Sequence, residues 1–463
     1  MNGYETKRVD LFAQLEKELN LFEREYCGVR YWHVLRFSAC EAAFGVRTKR
    51  EKRVKKTGRG KYVKVLGSLF KEFGSLLGII CPKKCDVLMY AISALHERFF
   101  SSIELPNGVS GELYRLGTWK SPTGMSSRCH GVPSCFLGVV SRFNNHKQNQ
   151  DSDEKSFLLD LERIFKERFG QSLSAEEMEK AIQKYIRDHD GYCRYYERMF
   201  RKTGCRLVLI TCYYTGHVYA IETAHKMGIP VVELQHGVIN NHICYRYEDI
   251  ENTGWYIPDY LLTYGEVHKE WIKLPLGEKA IAVGYAHQQK RLGEIAKIET
   301  DEKLIVVYPK LSVAFENEID ELAHKAAMRG YKVVLKVHPG QANGFDTYFP
   351  LLANNKDVEV VKDQSKDVYY WLKKGKFHVM ASSTVGLEAM VVDNAEVFVS
   401  LHAEHEQVQP LLDWDAARGY ETVDELLKML ESAPPLDKTL AKNRLWKENA
   451  VENIKAFLRE ELK

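Results

Sequence analysis

Four short segments of this 463-residue chain carry side chains whose type and spacing suit group-transfer chemistry. In Leu234-Gln235-His236-Gly237 a histidine precedes a glycine, which sets a titratable imidazole on a tight turn and lets a ligand approach the backbone. His242 and Tyr245 follow Gln235 within one short loop. In Lys336-Val337-His338-Pro339-Gly340 the proline fixes the turn, and His338 offers a neutral ring to a phosphate oxygen or a base. Ala381-Ser382-Ser383-Thr384 presents three consecutive hydroxyls at the start of an expected helix that carries Glu388 in its first turns. N-capping accounts for one hydroxyl; all three together with free N–H groups make an anion site. Lys310 would add positive charge to it. Tyr264-Gly265-Glu266 places a carboxylate that serves either as an acid–base group or as a first-turn residue complementing the helix dipole. A surface histidine, a plain turn and an ordinary cap are the structural alternatives for the first three.

Other patterns carry less. Asp151-Ser152-Asp153, Asp188-His189-Asp190 and Asp413-Trp414-Asp415 match a metal-holding Asp-x-Asp, yet none follows a clear strand. Cys81 and Cys85 have no matching second pair, which disfavours zinc there. The phosphate loop GxxxxGK[ST], a post-strand GxGxxG and HExxH are all missing, so kinase, P-loop and zincin chemistries drop out.

The elements that must position these residues follow from periodicity. Apolar runs at 86–91, 206–211, 229–234 and 259–263 read as buried strands, with helices at 157–169, 175–200 and 216–227. A second series has strands at 304–308, 332–337, 358–361, 377–381 and 396–400, separated by helices at 316–329, 366–373, 384–392 and 423–431. Alternating strands and helices predict parallel sheets, and ligands of such sheets lie outside the carboxyl ends of the strands, where all four segments fall. The expected fold class is therefore α/β, with two Rossmann-like domains facing a crevice and a helical N-terminal extension. The expected boundaries are a helical, basic extension over 1–80, a first Rossmann-like domain over 81–280, a second over 281–445, and a C-terminal helix over 446–463.

Composition bounds the partners. With 45% apolar and 28% charged residues the chain is too apolar for disorder, and 66 basic against 63 acidic residues give a net charge of only +3, which argues against nucleic acid as a partner. Charge is nevertheless clustered: ten Lys or Arg stand between Arg47 and Lys64 against the single acid Glu51. The Leu/Phe-rich stretch 65–77 follows at once. A polybasic segment beside an amphipathic helix suits peripheral attachment to an anionic leaflet, at about 1 kcal/mol per basic residue. A solvated basic loop before a core helix is the other reading. The apolar stretch from Val65 to Cys81, interrupted by Lys71 and Glu72, is too short to span a bilayer. Ten dilute cysteines, all before residue 245 and behind no secretory leader, suit a reducing cytoplasm or the inner face of the plasma membrane.

With its ELQHG segment, His338-Pro339 and Ser382-Ser383, the region 205–400 resembles bacterial GT-B glycosyltransferases of capsule and surface-polysaccharide assembly. The HP and SS pairs are similar to the signature of sialyltransferases and Kdo transferases that use CMP-sugars, and the HG turn with HP is similar to CDP-glycerol glycerophosphotransferases. The resemblance implies that His338 and Pro339 contact the donor nucleotide and Ser382 and Ser383 its phosphate, with His236 where the glycerophosphotransferases place a catalytic histidine. The sialyltransferases carry an acidic motif in place of Gln235-His236-Gly237, so the departure counts against sialic acid while leaving a cytidine donor in place. The implied activity is transfer of a sugar from a nucleotide-activated, CMP-linked donor to a glycan or lipid-linked glycan acceptor, with 81–280 as the acceptor domain, Gln235, His242 and Tyr245 beside the acceptor, and 281–445 as the nucleotide-donor domain. His236 is the base, Glu266 its alternative, and no metal or other cofactor is required. A glycerophosphotransferase, a sugar-nucleotide 2-epimerase and a non-catalytic assembly scaffold are the competing readings.

Overall fold

The computed structural model describes residues 3–43, 82–115, 130–131, 151–171, 173–240, 242–247, 256–274, 279–309, 313–338, 341–342, 344–402, 405 and 407–463. The basic run and the apolar segment after it, Lys310, Pro339, Cys81, Cys129 and Cys135 lie outside the described residues.

The chain divides into two compact units. One comprises Gly3–Thr263, Lys269–Val283 and Val451–Lys463, the other Tyr264–His268 and Gly284–Ala450. The first is built on seven parallel strands: β1 (Val87–Ala91), β2 (Gly111–Arg115), β3 (His130–Gly131), β4 (Leu207–Ile210), β5 (Val231–Leu234), β6 (Tyr260–Thr263) and β7 (Ala280–Ala282). Their order is β3-β2-β1-β4-β5-β6-β7. Every residue of β1, β4 and β5 is buried, as expected of central parallel strands covered on both faces. The second unit has six parallel strands, β8 (Asp301–Tyr308), β9 (Lys332–Lys336), β10 (Val358–Val361), β11 (Gly375–Met380), β12 (Glu396–Ser400) and β13 (Arg418–Tyr420), in the order β10-β9-β8-β11-β12-β13. Both sheets thus run outward from their first strand in two directions, the doubly wound arrangement of Rossmann-like domains. The expected α/β class with two Rossmann-like domains is what the chain adopts.

Helices α1 (Gly3–Glu18), α2 (Trp32–Ala43), α3 (Ala94–Ser101), α4 (Ser152–Phe169), α5 (Ala175–Thr203) and α6 (Val218–Lys226) belong to the first unit. Phe12 of α1 meets Trp32 of α2 and Phe165 of α4 at ring-centroid distances of 6.4 and 6.0 Å, within the same buried cluster as Leu88 and Val208. The described part of the expected N-terminal extension is therefore packed into the first unit's core, because side chains this large and apolar cannot stay solvated. Helix α4 starts inside the stretch 144–155 that polarity marks as loop: Asp151 accepts the Glu154 N–H at 3.1 Å, so Asp151-Ser152-Asp153 is a capping sequence. Among the described residues no helix is long and apolar enough to cross a membrane.

Candidate active site

In the first unit the direction of winding reverses between β1 and β4, and the loops leaving their carboxyl ends gather a cluster of histidines. After β1, the Ser93 hydroxyl accepts the His96 N–H at 3.3 Å and caps α3, fixing His96 in the first turn. After β4, Thr211 Oγ1 lies 2.7 Å from His96 Nδ1. After β5 comes His236, whose ring centroid is 5.5 Å from that of His96 and 6.1 Å from that of Tyr214. The Tyr214 hydroxyl is 3.2 Å from His242 Nε2, and His242 Nδ1 accepts the Cys244 N–H at 3.3 Å. Gln235, expected near the acceptor, is buried and donates to the Gly237 carbonyl at 2.8 Å, so it shapes the turn. At Gly237 an added Cβ would meet nothing within 4 Å, so the backbone beside His236 is open.

Beneath this cluster sits Glu233, fully buried in β5. Its Oε1 accepts the Tyr245 hydroxyl at 2.6 Å and lies 3.8 Å from His236 Nδ1. Burial pushes the Glu233 carboxyl up from 4.5 to about 7, against the lowering effect of the Tyr245 hydroxyl. His236 is driven the other way, down to about 3, by burial and by the neighbouring His96, His242 and His217. His96 falls to about 4, from burial. His242 also falls to about 4, from burial and the Arg36 charge. These imidazoles are neutral acceptors and donors at physiological pH, and His236, with 19% of its side chain exposed, is within a ligand's reach.

In the second unit the reversal falls between β8 and β11. Ser382, Ser383 and Thr384 leave the carboxyl end of β11 half-buried. The Ser383 hydroxyl is 3.4 Å from the Val385 N–H that it accepts, whereas Thr384, at the cap position, makes no side-chain cap. The helix expected over 384–392 is a single α-helical turn, α7 (Val385–Glu388), followed by a 3-10 turn at Ala389–Val391. Gly386 lets this turn pack closely: an added Cβ would lie 2.9 Å from the Met380 sulfur and 3.1 Å from Val408. So short a helix has little dipole, and the hydroxyls and local N–H groups carry any attraction for an anion. Glu388 is half-buried; desolvation raises its carboxyl to about 7 and the Tyr369 hydroxyl offsets part of that rise. His338 leaves β9 exposed, its carbonyl accepting the Gln341 N–H at 2.8 Å.

Glu266 opens the helix Glu266–Trp271 at the surface, 3.7 Å from Lys447, and belongs to the second compact unit while His236 belongs to the first. Gly265 before it is required for packing: a Cβ would lie 2.4 Å from the backbone of Leu445. Sequence reasoning passed over His96, Thr211, Tyr214 and Glu233, although the same strand-end rule applied to Ile92–His96 would have found the first. Two surface concavities lie elsewhere, one lined by Glu302, Lys376 and Glu396 and the other by Asp301, Lys332 and Val358, at the amino ends of the second unit's strands. That end of a doubly wound sheet is not where ligands are held.

No protein-family model matches the chain, and no curated protein matches it in sequence. Among solved structures it is similar to the Methanocaldococcus jannaschii UDP-GlcNAc 2-epimerase in complex with UDP-GlcNAc and UDP, at 14% identity and a TM-score of 0.46 over 81% of this chain and 99% of that one. The UDP-GlcNAc 2-epimerase of Neisseria meningitidis bound to UDP-GlcNAc is similar at 14% identity and a TM-score of 0.48, over the same shares. Medicago truncatula UGT71G1 complexed with UDP-glucose is similar at 10% identity and a TM-score of 0.44, over 82% of this chain and 99% of that one. Likenesses this distant concern the fold, which the strand order of each unit establishes independently.

Proposed function

We propose that the chain is a metal-independent glycosyltransferase that moves a sugar from a CMP-linked donor to a hydroxyl of a growing surface glycan, with His236 as the base. The observation that carries the reading is the His236–Glu233 arrangement: a neutral imidazole open to solvent on one side, with a buried carboxylate 3.8 Å from its Nδ1. An acceptor hydroxyl would give its proton to Nε2 as its oxygen bonds to the anomeric carbon. The imidazolium that forms is countered by Glu233, whose own ionisation near neutrality makes that support available in the physiological range. A base held near 3 is weak in the resting protein, and the ionised Glu233 carboxylate strengthens it as positive charge develops.

In the second unit, the leaving phosphate takes the electron pair of the broken carbon–oxygen bond and is met by Ser382, Ser383 and Thr384, with Lys310 adding charge. His338 and Pro339 would flank the nucleotide. Glu388, near its own pKa at neutral pH, is suited to accept hydrogen bonds from ribose hydroxyls or to share a proton with a phosphate. Attachment of the segment 47–77 to the inner face of an anionic membrane, near a lipid-linked acceptor, completes the reading.

The test is thermal stabilisation of the purified chain by CMP, CDP, UDP and GDP, with His338→Ala alongside. Stabilisation by cytidine nucleotides, lost in the variant, is expected. A larger shift with CDP than with CMP would favour glycerophosphate transfer. A preference for UDP would overturn the cytidine donor and favour an epimerase or a UDP-sugar transferase. His236→Ala should retain nucleotide binding while donor turnover falls by about 10²–10⁴-fold, and full turnover in that variant would remove His236 as the base and favour a scaffold for any residual role.

A further inference from the structure

Away from the strand ends, His189, Cys193 and Glu222 bring one potential ligand atom each to within 4.8 Å of one another, the single such trio among the described residues. Their placement follows from the helices. His189 and Cys193 are four residues apart on α5 and so share a face, and Glu222 faces them from α6. Cys193 Sγ is 3.7 Å from His189 Nε2, and Glu222 Oε2 is 2.9 Å from the same nitrogen. A tetrahedral zinc ion with bonds of about 2.0–2.3 Å keeps its ligand atoms roughly 3.3–3.8 Å apart, so a small shift of the Glu222 carboxylate admits one. The rest of the surroundings hold the ligands in place. His189 Nδ1 is 3.2 Å from Asp190 Oδ1, the carboxylate–imidazole contact that orients a metal-binding ring. Tyr185 and Tyr219 flank the imidazole edge-on at 5.8 and 6.1 Å, and Lys226 holds the other Glu222 oxygen at 2.6 Å.

We propose that His189 Nε2, the Cys193 thiolate and Glu222 Oε2 bind a zinc-class divalent cation, with water in the fourth position. One nitrogen, one sulfur and one oxygen donor select a borderline-soft ion and exclude magnesium and calcium, which take oxygen alone. Cation binding displaces the thiol proton and the ring proton that Cys193 and Glu222 favour on His189, which burial only partly opposes, so affinity rises with pH. The ion clips α5 to α6, the helix that follows the loop carrying Thr211 and Tyr214, and takes no part in the transfer step.

The experiment is titration of the full-length, metal-stripped chain with Co2+, followed by displacement with Zn2+. A thiolate-to-cobalt charge-transfer band saturating at about one ion per chain is expected for a site of this kind, together with a higher melting temperature. Cys193→Ser should abolish the band, and Glu222→Gln, which removes the oxygen donor's charge at nearly the same size, should lower Co2+ affinity while the thiolate band persists at saturation. Exposed Cys27 serves as the control, and Cys27→Ser should leave the band unchanged. No charge-transfer band in the wild-type chain, or a band that survives Cys193→Ser, would overturn the proposal and leave His189–Glu222 as an ordinary helix-to-helix pair.

Discussion

Glu233 is the residue on which the acid–base behaviour of the first unit turns. Its carboxyl is raised from 4.5 to about 7 because it is buried, so between these values the folded chain holds a proton that the unfolded chain has lost. The stabilisation from that proton is fully present below about pH 4.5 and is gone once the pH has risen through 7. The full difference corresponds to about 3 kcal/mol. Glu233→Gln should therefore match the wild type in stability at pH 4.5 and exceed it by about 1–3 kcal/mol at pH 8, measured by urea unfolding across that range. A constant difference at all pH values would show that Glu233 ionises normally. The lowered histidines act on the acid side: as the pH falls from 6.5 toward 3 the unfolded chain takes up protons that His236 refuses, and stability declines. None of this coupling was legible in the ELQHG segment. Sequence placed His236 at a strand end, where it is, but alternation along a fully buried strand gives no sign of a carboxylate turned toward the next loop. His96 and Tyr214 come from segments over 100 and 20 residues upstream and meet His236 only through strand order.

At the scale of elements, apolar runs located the central strands to within one or two residues in most cases, because a parallel strand buried on both faces has to be continuously apolar. In β8 the polar Asp301–Lys303 preceded the apolar run and hid the strand's start. Strands β2, β3, β7 and β13 escaped notice because they are short or mixed in character, as in Gly111–Arg115 and Arg418–Tyr420. Helix α1 shows another limit. Periodicity through Leu11, Leu15, Leu19 and Phe22 suggests one apolar face, yet Leu11 and Leu19 are only half-buried while Phe12, Leu15 and Glu16 are buried. The face turns because Glu16 is neutralised: both its oxygens accept from Arg36 of α2, at 2.7 and 2.9 Å, and Oε1 also accepts the Trp32 indole N–H at 2.7 Å. Arg36 in turn donates to the Arg246 carbonyl at 2.6 Å and lies 4.0 Å from the centre of the Tyr247 ring. Removing one partner leaves the other charge buried and unpaired, so Glu16→Ala should destabilise the chain by about 3–5 kcal/mol. Glu16→Gln, which keeps an acceptor for Trp32, should lose less. A denaturation midpoint unchanged in Glu16→Ala would mean that water replaces the carboxylate and that α1 is not held through this pair.

At the scale of the whole chain, the order of elements along the sequence is not the order in which they fold into units. All ten cysteines precede residue 245, yet the first unit takes in segments on both sides of that point. The C-terminal helix Ala450–Glu461 supplies most of the 13-residue segment Val451–Lys463 that returns to the first unit. Its contacts there are specific: Arg206 donates to the Leu462 carbonyl at 2.6 Å, Asn453 donates to the Val283 carbonyl at 3.0 Å, and Phe457 packs edge-on against Tyr260 of β6 at 5.2 Å. Ile454, Leu458 and Leu462 are buried. Leu458, with no exposure, should cost about 2–5 kcal/mol when truncated to alanine, the loss depending on how far its neighbours close the gap. The location of the loss is the informative part. Hydrogen exchange in Leu458→Ala should accelerate in β4, β6 and β7, while β8, β9 and β11 keep their protection. Equal acceleration in both sheets would show that the two units unfold as one cooperative body, and the C-terminal segment would then matter to the chain as a whole instead of to the unit that carries His236.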